Sequence, residues 1–211
     1  LHVSNLDVAQ LVGAYLPRYY GLQSLDLNTT LWTRWQDARP VHSQGEFSVQ
    51  QLQLQPTAAV ARPLDIKAAS AEISISRHDQ RSLVGLKNLR VAAEQNWTAR
   101  QVALAYQHDS TGVALDLRAD YLPLSDLRRL ALVRLPWPAL RQALENLEPR
   151  GDLHDLRLQV DTRPTQPDWR VEARFERLGV NPWKHVPGIG NLSGAVRGRQ
   201  GLAQLSLNLQ I

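Results

Sequence analysis

The chain has no cysteine and no methionine among its 211 residues. Without cysteine there can be no disulfide, no thiolate zinc ligand and no thiol nucleophile. The compartment stays open on this evidence, because an oxidising space permits disulfides without requiring them. A chain that begins at Leu1 and lacks methionine reads as an internal segment of a longer polypeptide. No apolar run approaches the roughly 18 to 20 residues that span a bilayer, and no basic-then-apolar leader opens it. Any anchor or export signal is therefore expected outside this stretch. The nucleophile elbow, the phosphate-binding Walker loop and the His-Glu-x-x-His helix are missing as well. Gly188, Gly190 and Gly194 depart by one residue from dinucleotide-loop spacing, and a strand pattern rather than a helix follows at Ala195. His78-Asp79, His108-Asp109 and His154-Asp155 have no further ligand at metal-binding spacing, and two of these pairs fall in expected turns. The chain is expected to be no enzyme and to need no cofactor and no metal.

A concentrated basic patch is also lacking in the sequence. The formal charge is +4 and the pI near 9.8, but arginines such as Arg90, Arg100, Arg118, Arg157, Arg170 and Arg174 stand singly along alternating segments. Such spacing describes a solvated face, not a nucleic-acid footprint. Carboxylates at Asp116, Asp120, Glu172 and Glu176 alternate with them and are expected to form weak cross-strand ion pairs.

What the sequence has in quantity is a period of two. Leu205, Leu207, Leu209 and Ile211 alternate with Ser206, Asn208 and Gln210. The same alternation runs through Val102, Leu104 and Tyr106, through Val113, Leu115, Leu117 and Ala119, through Leu156, Leu158 and Val160, and through Trp169, Val171, Ala173 and Phe175. Each is a strand with one apolar and one polar face. At 43% apolar and 21% charged residues the composition is that of a folded protein.

The first element reads as a short helix capped by Asn5 or Asp7, carrying Leu6, Ala9 and Leu11 and ending before Pro17. A strand from Leu25 towards Trp35 turns through Asp37-Ala38-Arg39-Pro40 into one over Gly45 to Leu54. There Phe47 and Val49 are odd-numbered but Leu52 and Leu54 even, so a bulge near Gln50 and Gln51 is expected. Strands follow at Leu64 to Ala68, Ala71 to Ser76, Leu83 to Ala93, Trp97 to Gln107 and Val113 to Tyr121. Ser125 caps a helix carrying Leu127, Leu130, Ala131 and Arg134. Pro136-Trp137-Pro138 interrupts it, and Leu140, Ala143, Leu144 and Leu147 form the stripe of a second. Strands resume at Leu153. Helix, strand, turn and strand occur twice, with Asp161-Thr162-Arg163-Pro164 answering the earlier turn, so two stacked modules are expected, 1–121 and 122–211, sharing one sheet.

Leu147-Glu148-Pro149-Arg150-Gly151-Asp152-Leu153, the stretch Trp169 to Val180, and Pro187-Gly188-Ile189-Gly190-Asn191-Leu192-Ser193-Gly194 form a combined pattern. It resembles the AsmA-like proteins of Gram-negative envelopes, in particular their YhdP branch, most closely over residues 120 to 211. The resemblance implies a long periplasmic protein anchored in the inner membrane through regions outside this segment. It further implies a mainly β fold, an elongated, curved antiparallel sheet with a few short helices, forming a trough that carries phospholipid to the outer membrane. Neighbouring modules of the same parent chain would be its partners, and nucleic acid would not. The groove lining is expected at Val102, Leu104, Val113, Leu115, Leu117, Leu156, Leu158, Trp169, Val171, Phe175, Leu205, Leu207 and Leu209. Six tryptophans could stack on sugars or sit at a lipid rim, and Arg128, Arg129 and Arg134 could face phosphate head groups. The competing expectation is a scaffold whose apolar faces interlock in a closed β sandwich.

Overall fold

Alternating segments joined by short polar turns need only pair each with the next, and this chain does so throughout. The computed structural model describes residues 2–7, 20–37, 39–56, 64–134, 138–163, 168–185 and 187–208. Its 11-stranded sheet has the order of the sequence. The strands are β1 (His2–Asp7), β2 (Tyr20–Gln36), β3 (Arg39–Pro56), β4 (Leu64–His78), β5 (Arg81–Ala92), β6 (Asn96–Asp109), β7 (Gly112–Pro123), β8 (Arg150–Asp161), β9 (Asp168–Val180), β10 (Ile189–Arg199) and β11 (Leu202–Asn208). All neighbours are antiparallel, and β1 does not meet β11, so the sheet is open. Between β7 and β8 come two helices, α1 (Leu124–Arg134) and α2 (Pro138–Leu147). Proline suits the first position of α2, where its missing N–H would have had no partner. The sheet continues from β7 to β8 beneath this insertion, with Leu117 opposite Leu158.

Three expectations need correction. His2–Asp7 is a strand and not the start of a helix; Val3 lies opposite Thr29 and Leu6 opposite Leu27, because the exposed backbone of β2 offers ladder partners that outweigh local helix propensity. The helical reading of Ala9 to Pro17 lies outside the described residues. Of the repeated unit, the strand pairs β2–β3 and β8–β9 answer each other. Helix α1 begins at Leu124, which puts Ser125 inside its first turn rather than at its cap.

The two segments expected at Leu64 to Ala68 and Ala71 to Ser76 are one continuous strand. They looked separate because the apolar parity changes between Ile66 and Ala69. The same device recurs along the sheet. In β3 the extra residue is Gln51, at φ 55, and the Ser24 hydroxyl donates to its carbonyl. In β5 it is Asn88, at φ 53, whose amide donates to Glu72. In β6 the change crosses Arg100 and Gln101, whose backbone N–H groups both donate to the Asp120 carboxylate at 3.1 and 2.9 Å. In β8 it is Asp155, at φ 52, paired with Arg174. Each bulge lets both halves of a long strand present apolar residues to the same face, and each bends the strand locally.

A compact protein of 23.7 kDa exposes about 9,800 Å² by the usual surface-to-mass scaling. This chain exposes 14476 Å². Among the described residues two buried clusters lie within the sheet's own face. One is built on Ala71, Leu89, Val91 and Ala99, the other on Ala119, Leu122, Leu156 and Ala173, with Leu127 of α1 packed against the latter. Among the described residues there is no second sheet to interlock with, so the closed sandwich is not formed.

Candidate functional site: an uncovered apolar face

Residues directly opposite in an antiparallel pair share a face, so the register lets rows be followed across the sheet. One row runs Ile75, Val84, Leu104, Leu117, Leu158, Val171 and Gly198 from β4 to β10. A second runs Ile73, Leu86, Val102 and Ala119 to Leu156. A third runs Ser82, Tyr106, Leu115, Val160 and Trp169. Beyond β9, Ala173 faces Val196 and Leu205, while Phe175 faces Gly194 and Leu207. Between β5 and β11 these rows contain no carboxylate and no cation; on β4 the third row ends on Arg77, opposite Ser82. At the β2–β3 end they become polar, where the Thr33 and Ser43 hydroxyls lie 3.0 Å apart.

All the expected lining residues except Leu209, which lies outside the described residues, occupy this one face. Two of them are not available to a ligand. Leu156 and Phe175 are 5% and 3% exposed and belong to the sheet's own packing. Val102, Leu104, Val113, Leu115, Leu117, Leu158 and Val171 are half-buried, flanked by row neighbours and open above. Trp169, Leu205 and Leu207 are exposed. Ile73, Ile75, Val84, Leu86, Val160 and Val196 extend the rows and were not anticipated as lining. In β5 the parity change at Asn88 hid them, since Val84 and Leu86 are even-numbered while Leu89 and Val91 are odd.

Charge accompanies the opposite face. Asp120 pairs with Arg100 across strands, Glu172 lies 3.9 Å from Arg197, and Glu176 lies 3.7 Å from His154. Asp116 is the exception, bonded to Arg118 of its own strand and to Gln159 across. Helix arginines are engaged with protein carboxylates: Arg128 with Glu148 at 3.4 Å, Arg129 with Glu94 and with Asp126. They therefore offer little charge to a phosphate, and the Arg134 side chain lies outside the described residues. The tryptophans do not gather on one surface. Trp32 and Trp35 are 62% and 63% exposed, Trp97 donates to Asp126 of α1, and Trp183 lies beneath Lys184. Trp137 lies outside the described residues. His78-Asp79 sits in the β4–β5 turn, and Asp109 holds the β6–β7 turn by accepting from Thr111 and Gly112. Among the described residues no cluster of metal-ligating side chains occurs, and no helix is long and apolar enough to cross a membrane.

Where the lower ends of β7, β8 and β9 meet, Asp152 is buried, accepts from the Tyr121 hydroxyl at 2.6 Å and pairs with Arg177. Burial raises the Asp152 pKa, but the bonds from Tyr121 and Arg177 outweigh it and hold the carboxyl below its ordinary value. Burial, and then the Asp152 carboxylate, push the Tyr121 phenol up to about 12. A depressed carboxylate contributes stability that is present above about pH 4 and lost as pH falls through its folded pKa. A raised phenol contributes stability that is complete below about pH 10 and lost as pH climbs towards 12. Phenolate absorbance should accordingly show one late step near pH 12. The step should vanish in Tyr121→Phe, and its persistence there would move the assignment to another tyrosine.

An apolar face of this extent on an open sheet, together with a continuous run of paired strands, can be compared with known proteins. No curated protein and no solved structure matches the chain. The family model described as YhdP protein matches residues 1–210. That is nearly the whole sequence, and the chain belongs to the YhdP family.

Proposed function

We propose that this chain is a segment of a bridge-like lipid transporter of the Gram-negative envelope, conducting phospholipid across the periplasm from the inner to the outer membrane. Its parent polypeptide is anchored in the inner membrane elsewhere, and neighbouring modules continue the same trough. The observation that carries the reading is the set of charge-free apolar rows from β5 to β11, opposed among the described residues only by two short helices. Family membership supports it.

An uncovered apolar face in water gains by taking up acyl chains. Each methylene removed from water contributes about 0.8 kcal/mol, so a lipid of two chains outweighs the loss of its freedom to tumble. Strands repeat about every 4.8 Å across the sheet. A lipid moving along the rows therefore meets Leu104, Leu117, Leu158 and Val171 in near-equivalent settings. No deep well interrupts that series, which favours sliding over storage. The role needs no catalytic group, and we assign it none.

Purifying the chain without and with delipidation and analysing the extracts by mass spectrometry should show phospholipid in the undelipidated preparation only. A photo-reactive residue at Val84 or Leu117 should crosslink to lipid, and one at Ala103 or Gln107 on the other face should not. Equal crosslinking from both faces, or a chain that purifies free of phospholipid, would remove the basis for transport.

A further inference from the structure

The face away from the apolar rows holds an arrangement that cross-strand pairing disfavours. Arg118 of β7 lies directly opposite Arg157 of β8, and Arg170 of β9 directly opposite Arg199 of β10. Like charges in such positions repel and destabilise the pair. Carboxylates relieve it only in part: Asp116 is bonded to Arg118 and Gln159, and Glu172, directly opposite Arg157 on β9, lies 3.9 Å from Arg197. Among the described residues no carboxylate comes within ion-pair distance of Arg157, Arg170 or Arg199. These arginines are scattered in sequence, and only the register brings them together.

Arg118, Arg157, Gln159, Arg170 and Glu172 line a recess of about 170 Å³, three cations to one carboxylate. It adjoins a second recess of about 330 Å³, which shares Gln159 and Arg170, is kept open by the short side chains of Ala105 and Ala114, and is of mixed charge, with Asp116, Asp161 and Asp168 beside Arg81 and Arg163. Concavity, an excess of positive charge and a carboxamide donor coincide in the smaller recess. Every cation on it is an arginine, in a chain whose only lysines are Lys67, Lys87 and Lys184. A planar guanidinium matches a phosphate with two parallel hydrogen bonds, which an ammonium cannot do.

The geometry points to an anion site on the polar face for a phosphate-bearing group of about pyrophosphate size, held between Arg118, Arg157 and Arg170. It is separate from the lipid-bearing rows and stands or falls independently of them. The bound anion neutralises the facing arginines, so the site is more stable filled than empty.

Isothermal titration of the chain with inorganic pyrophosphate tests it. Saturable binding at one site is expected, weakened about tenfold or more in Arg157→Lys/Arg170→Lys, which keeps the charge but loses the planar forks. Arg90→Lys, remote on the same face, should bind as the parent does. Sedimentation with phosphatidylcholine vesicles, with and without phosphatidic acid, separates the sources. Association that needs phosphatidic acid and is lost in the double variant assigns the site to a lipid phosphate, whereas pyrophosphate binding alone assigns it to a soluble anion. In phosphate-free buffer Arg157→Gln should melt about where the parent does, since the repulsion from Arg118 that it removes offsets the attraction to Glu172 that it loses. Failure of both probes to bind, binding unchanged in the double lysine variant, or a clearly lower melting point for Arg157→Gln would each overturn the site.

Discussion

Aspartate placed together at Leu104, Leu117 and Leu158 is expected to stop lipid passage in the full-length protein while the sheet still forms. The three are consecutive members of one row on β6, β7 and β8, so a lipid following the rows must cross all of them. A carboxylate facing hydrocarbon costs about 2.5 to 3.5 kcal/mol, and three in succession raise the barrier by about 8 to 10 kcal/mol. If water entering the open slot relieves half of that, the remaining barrier still slows passage by about a thousandfold. Folding should survive, because these side chains are half-buried and one side of each already meets solvent in the absence of lipid. The control carries equal charge on the polar face. Ala103→Asp, Gln107→Asp and Gln204→Asp each stand opposite an arginine: Arg118, Arg81 and Arg197 respectively. Transfer of labelled phospholipid between membranes is the measurement, with circular dichroism to establish that both triple variants are folded. Normal transfer by a folded apolar-face variant would show that lipid does not use these rows.

The rows were legible in sequence wherever a strand keeps one parity from end to end. Val113 to Ala119 and Trp169 to Phe175 do so, and both were placed on the correct face from alternation alone. Strands that change parity were harder. The slip between Val49 and Leu52 was visible because large apolar residues stand on both sides of Gln51. In β4 the same slip falls among Ala68, Ala69 and Ser70, where small side chains give no contrast, and one strand looked like two. Alternation also says which way a side chain points and not how deeply it is covered. Phe175 and Leu104 are written alike, yet one is sealed and the other open, because coverage depends on neighbours brought by register from other strands. The opposed arginines were hidden for the same reason: Arg118 and Arg157 are separated by two helices in sequence and become neighbours only through the β7–β8 ladder. The family pattern, carried by turn and helix-exit residues, was readable because such residues are fixed by local backbone geometry rather than by distant partners.

That difference between sealed and open residues yields the second large effect. Among the described residues Phe175 is the most thoroughly buried large side chain, at 3% exposure, and its ring occupies the space left by the absent side chain of Gly194, directly opposite on β10. Truncating a buried phenylalanine costs about 3 to 5 kcal/mol, the upper part of that range coming from a cavity that cannot collapse. A single-layer sheet cannot seal such a hole, so solvent enters it and the cost should fall near 3 kcal/mol. For a chain of this length that lowers the melting temperature by roughly 6 to 12 °C. Refilling the hole from across the strand is not available: a Cβ at Gly194 would overlap the backbone carbonyl of Ser206, so Phe175→Ala/Gly194→Ala should melt lower still. Phe175→Leu, which keeps most of the volume, should lose less than about 1.5 kcal/mol. The measurement that matters is made on the folded fraction at low temperature. There Phe175→Ala should retain as much phospholipid per molecule as the parent, because a covered ring supports the strands beneath the lipid and does not touch it. Loss of lipid at unchanged stability would return Phe175 to the lining and show that the face opens further when loaded.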